Sequence, residues 1–76
     1  MSDLKYIWTY DKRTDTYVFG SPNDGGGVFK DFMCNQWSGN LVVGDNVIMF
    51  GPYPLMSGIQ TAIEEEYDNI KNSNDY

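Results

Sequence analysis

The sequence predicts a single small α+β domain with a four-stranded antiparallel sheet and two helices packed on one face, in the order ββαββα. Three observations predict this class. Short segments rich in aromatic and β-branched residues alternate with segments of helical periodicity. Both halves of the chain show the same strand–strand–helix order. The chain has 76 residues, which is room for one domain, and we assign it to residues 1–76.

The first half of the chain predicts a strand pair followed by a helix. Residues 4–10 and 16–19 read as strands, and the polar residues 11–15 between them read as a turn. Residues 20–27 end in three glycines and read as a loop. Residues 27–37 read as a short helix, because their apolar side chains fall within one arc of a helical wheel. That arc contains Val28, Phe29, Phe32, Met33 and Gln36.

The second half predicts another hairpin. Residues 41–43 and 47–50 are apolar, and the Gly-Asp-Asn sequence at residues 44–46 favours a tight connection between them. Apolar residues occur on both faces of the first and last predicted strands. We therefore expect the sheet face away from the helices to be covered as well, by a partner or by a second copy.

The C-terminal segment predicts a second helix. Ser57 and Gln60 match a capping box, in which both side chains satisfy free amides at a helix start. One apolar stripe at helical spacing is expected to pack on the sheet. Its members are Leu55, Met56, Ile59, Ala62, Ile63, Tyr67 and Ile70. Residues 72–76 are expected to fray.

The charge is unevenly distributed. The net charge is −6, and residues 1–30 contribute nothing to it because their acids and bases balance. Residues 31–76 contain seven acids and one base, Lys71. A chain with so few bases does not form the basic patch that phosphate binding requires, so we expect neither direct nucleic-acid binding nor attraction to anionic membranes.

The composition argues against catalysis and against a bound cofactor or metal. There is no histidine, and Cys34 is the single cysteine, so the usual Cys–His activation is unavailable. The glycine run at residues 25–27 lacks the spacing of the common phosphate-binding motifs. A single cysteine makes no internal disulfide, which indicates a reducing, cytoplasmic setting.

The acidic C-terminal helix is the main candidate for binding. Glu64, Glu65 and Asp68 are predicted to form an outward stripe opposite the apolar one. This stripe is either an ordinary solvated face or a docking surface for a basic protein. Glu66 falls inside the apolar stripe, where a carboxylate is costly unless it is paired or the edge of the stripe is open to water. Lys5 or Lys30 could pair with it; otherwise it marks a place where a base of a partner enters. The predicted partner-binding residues are Glu64, Glu65, Glu66, Asp68, Asp45, Tyr67 and Tyr53.

In size, acidity and lack of catalytic residues, the chain resembles the small inhibitors that bacteriophages encode against host defences, such as anti-CRISPR, anti-restriction and DNA-mimic proteins. The resemblance implies a non-enzymatic inhibitor that occupies a basic, nucleic-acid-binding surface of its target in the host cytoplasm. Two alternatives stay open. One is a small-ligand or nucleotide-binding module, a signal sponge that uses the Gly25–Gly27 loop. The other is a homo-oligomeric structural subunit, and a homodimer is compatible with both the inhibitor and the ligand-binding interpretations.

Overall fold

The computed structural model describes residues 4–73. They form five strands followed by one helix. The strands are arranged as an antiparallel meander in which each strand pairs with the next along the chain. The elements are β1 (Thr9–Asp11), β2 (Thr16–Ser21), β3 (Asp24–Asp31), β4 (Gln36–Val43), β5 (Asn46–Tyr53) and α1 (Met56–Ser73).

The predicted ββαββα order is therefore wrong, because the segment predicted as a helix at residues 27–37 is a β-hairpin. It contains the end of β3, a turn at residues 32–35 and the start of β4. The Asp31 carboxylate accepts a hydrogen bond from the Met33 amide at 3.0 Å, and Asn35 has a left-handed φ of 56°. Both features are typical of turns. Pairing of β3 with β2 and β4 outweighs the helical periodicity of the sequence.

The glycine-rich segment and the first predicted strand also differ from expectation. The glycines at residues 25–27 lie within β3, and the β2–β3 turn comprises only Pro22 and Asn23. A Cβ atom on Gly25 would collide with the backbone carbonyl of Phe19, so this close approach requires glycine. A strand was predicted at residues 4–10, but only its last two residues belong to a strand, β1. The residues before β1 contact α1 instead, through the amides of Lys5 and Tyr6.

The core lies between α1 and the inner face of the sheet. Gly26 and Gly39 make room for Ile63, because a Cβ atom on either would lie 2.8 Å or 3.2 Å from an Ile63 methyl carbon. The helix can therefore pack closely on the middle strands. Burial of apolar surface there stabilises the fold by about 25 cal/mol per Å². The buried apolar residues are Phe19, Val28, Leu41, Val43, Ile59 and Ile63.

The helix was predicted in the correct place but with the wrong start. It begins at Met56, and the Ile59 amide donates to the Leu55 carbonyl. Ser57 therefore lies inside the first turn and is not the N-cap. Leu55, predicted to join the apolar stripe, is 65% exposed. The helix continues to Ser73, and residues 74–76 of the predicted frayed tail lie outside the described residues. Within residues 4–73, no helix combines the length and apolar character needed to cross a membrane.

Candidate functional site

Glu64 does not face solvent as predicted. It is 3% exposed, because residues 4–8 lie along its side of α1. Its carboxylate accepts hydrogen bonds from the backbone amides of Lys5 at 2.8 Å and Tyr6 at 3.1 Å. The Trp8 indole N–H donates a third bond at 2.8 Å. Glu64 is thus an internal acceptor that ties residues 5–8 to the helix.

Asp68 lies one turn further along α1 and holds the same segment. It accepts hydrogen bonds from Lys5 Nζ and from the Tyr6 hydroxyl, both at 2.6 Å. These two bonds lower the pKa of Asp68, and the bond to Asp68 raises the pKa of Lys5. The bond from the Tyr6 hydroxyl to Asp68, aided by burial, raises the pKa of Tyr6 to about 12. We call the contacts of Glu64 and Asp68 with residues 5–8 the N-terminal clamp.

The other predicted acidic contacts do not form one surface with Glu64 and Asp68. Glu65 is exposed on the outer side of α1, and Glu66 is partly exposed. In the described part of the chain, no ion pair joins Glu66 to Lys5 or Lys30, and Lys5 pairs with Asp68 instead. Asp45 is exposed in the turn between β4 and β5, where it lines a pocket with Ile70 and Lys71 near the C-terminal end of α1.

The two predicted aromatic anchors both contact the chain's own core. The Tyr67 ring packs edge-on against Phe19 at a centroid distance of 5.3 Å, and its hydroxyl donates to Asp24 at 3.3 Å. Burial is the main cause that raises the pKa of Tyr67. Lys71 also binds Asp24, at 3.1 Å, which raises the pKa of Lys71. Tyr53 is half-buried against the core. Partner contact by these tyrosines stays a prediction.

The outer face of the sheet, opposite α1, exposes several apolar side chains. Strand alternation places five apolar side chains there, and we use the term outer face for these residues and the glycines between them. Phe29 is 40% exposed, Val47 61% and Met49 71%, whereas Val18 and Val42 are half-buried. Apolar residues on a second sheet face were expected from the sequence, but the position of Phe29 on it was not, because residues 27–37 were predicted to form a helix.

A groove of about 310 Å³ runs along the outer face. Gly25 and Gly27 form its floor, and Val18 of β2 and Val42 of β4 flank it. Since neighbouring strands lie about 4.8 Å apart, the missing side chains on β3 leave a channel roughly 10 Å wide. The glycines precede no helix, so they do not form the phosphate cradle of a helix start. The groove is thus shaped for an apolar side chain.

The charges on the outer face have one sign. Strand alternation places Asp11 and Asp31 there and no lysine or arginine of the strands. Asp11 has a distant contact with Arg13, whose Nη2 is 3.9 Å from the carboxylate; a pair this exposed contributes little. The outer face therefore combines an apolar centre with carboxylates at its margin.

The β3–β4 hairpin ends in an exposed apolar tip next to Phe29. Phe32 is 76% exposed and Met33 is 96% exposed. The neighbouring Cys34 is a free, exposed thiol. Phe and Met are enriched in protein interfaces, so this tip extends the apolar surface of the outer face. Within residues 4–73, no three acidic or thiol side chains are grouped so that they could hold a metal ion.

Comparison with known proteins identifies no relative. No protein-family model matches the chain. Neither the curated proteins nor the solved structures contain a significant match to it.

Proposed function

We propose that this chain is a non-enzymatic, acidic binding protein whose outer face docks on a partner protein with an apolar patch bordered by lysine and arginine. One observation carries the proposal. The outer face exposes Phe29, Val47 and Met49 beside a glycine-floored groove, and strand alternation gives it carboxylates but no bases. Solvent-exposed apolar patches of this kind mark interaction sites.

The shape of the outer face supports insertion of a partner side chain. The groove is lined by Val18, Val42 and a glycine backbone, with Asn40 and Asp11 as polar groups, which suits a large side chain that is mostly apolar. Interfaces gain most of their affinity from a few such buried anchors, whose truncation costs about 2 kcal/mol or more. Phe29 and the hairpin tip supply anchors from this chain in return.

Charge supports a basic partner over a second copy at this face. Two copies docked face to face would oppose Asp11 and Asp31 with carboxylates, and each chain carries a net charge of −6. A partner bordered by lysine and arginine is attracted by the same charge, which speeds association and selects against acidic proteins.

The docking surface thus shifts from the acidic helix to the sheet. Glu64 and Asp68 are occupied by the N-terminal clamp, whereas the exposed acids Glu65 and Asp45 contribute to the long-range field. A basic partner surface is the kind that binds nucleic acid. We therefore keep the predicted role, an inhibitor that occupies such a surface in the cytoplasm.

The test compares Phe29→Lys with Leu55→Lys. Leu55 is an exposed apolar residue outside the outer face, so both variants change the charge equally. Each protein is immobilised and incubated with a bacterial lysate, and retained proteins are quantified by mass spectrometry. We expect a basic protein whose retention falls at least tenfold with Phe29→Lys and stays unchanged with Leu55→Lys, which corresponds to about 1.4 kcal/mol.

Salt and competitor identify the kind of surface. Retention is expected to fall steeply between about 50 and 300 mM salt, because charge attraction is screened. Heparin, added as a polyanionic probe, is expected to displace the partner. The proposal would be contradicted if both variants retained the basic protein equally, or if neither salt nor heparin reduced its retention.

A further inference from the structure

The two edges of the sheet differ in length and charge. One edge, β1, has three residues and is followed directly by Lys12 and Arg13. The other edge, β5, has eight residues and a strand neighbour on one side only. Among the described residues, the backbone hydrogen bonds outside helices and strands join Gly44 to Asn23 and Ile59 to Leu55. Neither satisfies the outer side of β5.

The first five residues of β5, residues 46–50, lack the usual protection of an edge strand. Natural sheets blunt their edges with charged side chains, proline, or very short strands. Residues 46–50 contain no charged residue and no proline, in a chain with a net charge of −6. The unprotected stretch ends there, because Gly51 and Pro52 follow and the β4–β5 register shifts between Trp37 and Gly39.

We propose that β5 pairs antiparallel with β5 of a second copy, so that two sheets join into one of ten strands. A two-fold axis at Ile48 places Val47 opposite Met49 of the second copy on the outer face. The same register places Asn46 opposite Phe50 of the second copy on the inner side. Every pair is free of like charges, and apolar cross-strand pairs stabilise a sheet. Such an interface is isologous, as in most homodimers.

The dimer is small and sensitive to salt. Five paired residues on each copy give an interface below about 1,200 Å², the range of weak association. The two acidic chains repel each other outside the contact, and this repulsion is screened as salt rises. Salt therefore strengthens the dimer, whereas it weakens binding to the basic partner. Pairing at the edge leaves both copies of the outer face accessible.

The test is sedimentation equilibrium of the purified chain from about 5 to 500 µM, a range suited to a weak interface. We expect the dimer fraction to rise with concentration and with salt. The edge variant Val47→Lys/Met49→Lys is expected to raise the dissociation constant at least tenfold. The control Ile7→Lys/Leu55→Lys makes the same charge change at exposed apolar residues outside β5 and is expected to dimerise like the unmodified chain.

Hydrogen exchange locates the contact. Amides of residues 46–50 are expected to gain protection as the concentration rises, and amides of β1 are not. A chain that stays monomeric throughout, or an edge variant that dimerises as well as the control, would overturn the inference. Phe29 lies two strand spacings from β5, so Phe29→Lys is expected to leave the dimer intact. The dimer and the proposed partner binding can therefore fail independently.

Discussion

Glu64 shows how one carboxylate in an acidic run takes a structural role. Three glutamates follow one another at residues 64–66, and only Glu64 is buried. A buried carboxylate is stable when N–H donors replace its water. Here two backbone amides and the Trp8 indole do so. These donors lie more than 50 positions earlier in the chain, so the local sequence gives no sign of them.

Replacing Glu64 by glutamine is expected to lower the free energy of unfolding by about 2–4 kcal/mol. Glutamine keeps the size of the side chain but brings an NH₂ group toward N–H donors, which leaves buried polar groups unpaired. The measurement is urea unfolding followed by tryptophan fluorescence. Glu65→Gln is the matched control on the exposed side, and a change within about 0.5 kcal/mol is expected there. Equal effects of the two variants would argue against the clamp.

At the scale of elements, turn chemistry separates the correct predictions from the wrong ones. The turn at residues 11–15 was predicted, and its geometry recurs at residues 31–35. In both, an aspartate carboxylate accepts the amide two residues later, and the fifth residue, Asp15 or Asn35, has a φ of 56°. The second turn was hidden by apolar residues that happen to share a helical arc. The hairpin of β4 and β5 and the final helix were predicted, because their local signals agree with their tertiary contacts.

Replacing a glycine by alanine is expected to change the stability of the protein in opposite directions in β3 and in α1. Gly26→Ala should destabilise the protein by about 1–3 kcal/mol, because its Cβ would lie 2.8 Å from Ile63 Cγ2 in a packed core. Gly58→Ala should stabilise it by about 0.5 kcal/mol, because its Cβ would lie 3.5 Å from Tyr53 and alanine favours helix. Thermal unfolding of both variants provides the measurement. A stable Gly26→Ala protein would show that α1 does not pack as closely as described.

Across the whole molecule, the acidic composition predicted the charge of the candidate surface but not its position. The net charge and the aromatic content could be read from the sequence. The outer face could not, since it exists only when β2, β3, β4 and β5 lie side by side. The N-terminal clamp also joins distant parts of the chain, and this makes the stability of the whole fold depend on pH.

The clamp predicts loss of stability at both extremes of pH. The pKa of Tyr6 is about 12 in the folded protein and near 10 in the unfolded chain. The protonated hydroxyl therefore stabilises the fold fully below about pH 10, and this contribution is lost as the pH rises toward 12. The pKa of Asp68 is lower in the folded protein than its usual value of about 3.8. The ionised carboxylate therefore stabilises the fold above about pH 3.8, and this contribution is lost as the pH falls below that value. Melting temperatures measured from about pH 3 to 11.5 would show a plateau between these limits.

Tyr6→Phe tests the alkaline limit. It removes the hydroxyl that donates to Asp68 but keeps the ring that stacks on Phe19 at 5.0 Å. We expect a loss of about 1 kcal/mol at pH 7 and a shallower decline above pH 10. Tyr53→Phe is the control, because the Tyr53 hydroxyl makes no hydrogen bond recorded within residues 4–73. An unchanged alkaline decline in Tyr6→Phe would show that Tyr6 does not cause the loss of stability at high pH.

The position of α1 after all five strands has a consequence for biosynthesis. Val28 and Leu41 are fully buried only when residues 56–73 pack on the inner face of the sheet. A chain released before residue 56 would therefore leave both side chains exposed, and incomplete products with exposed apolar surface are prone to aggregate.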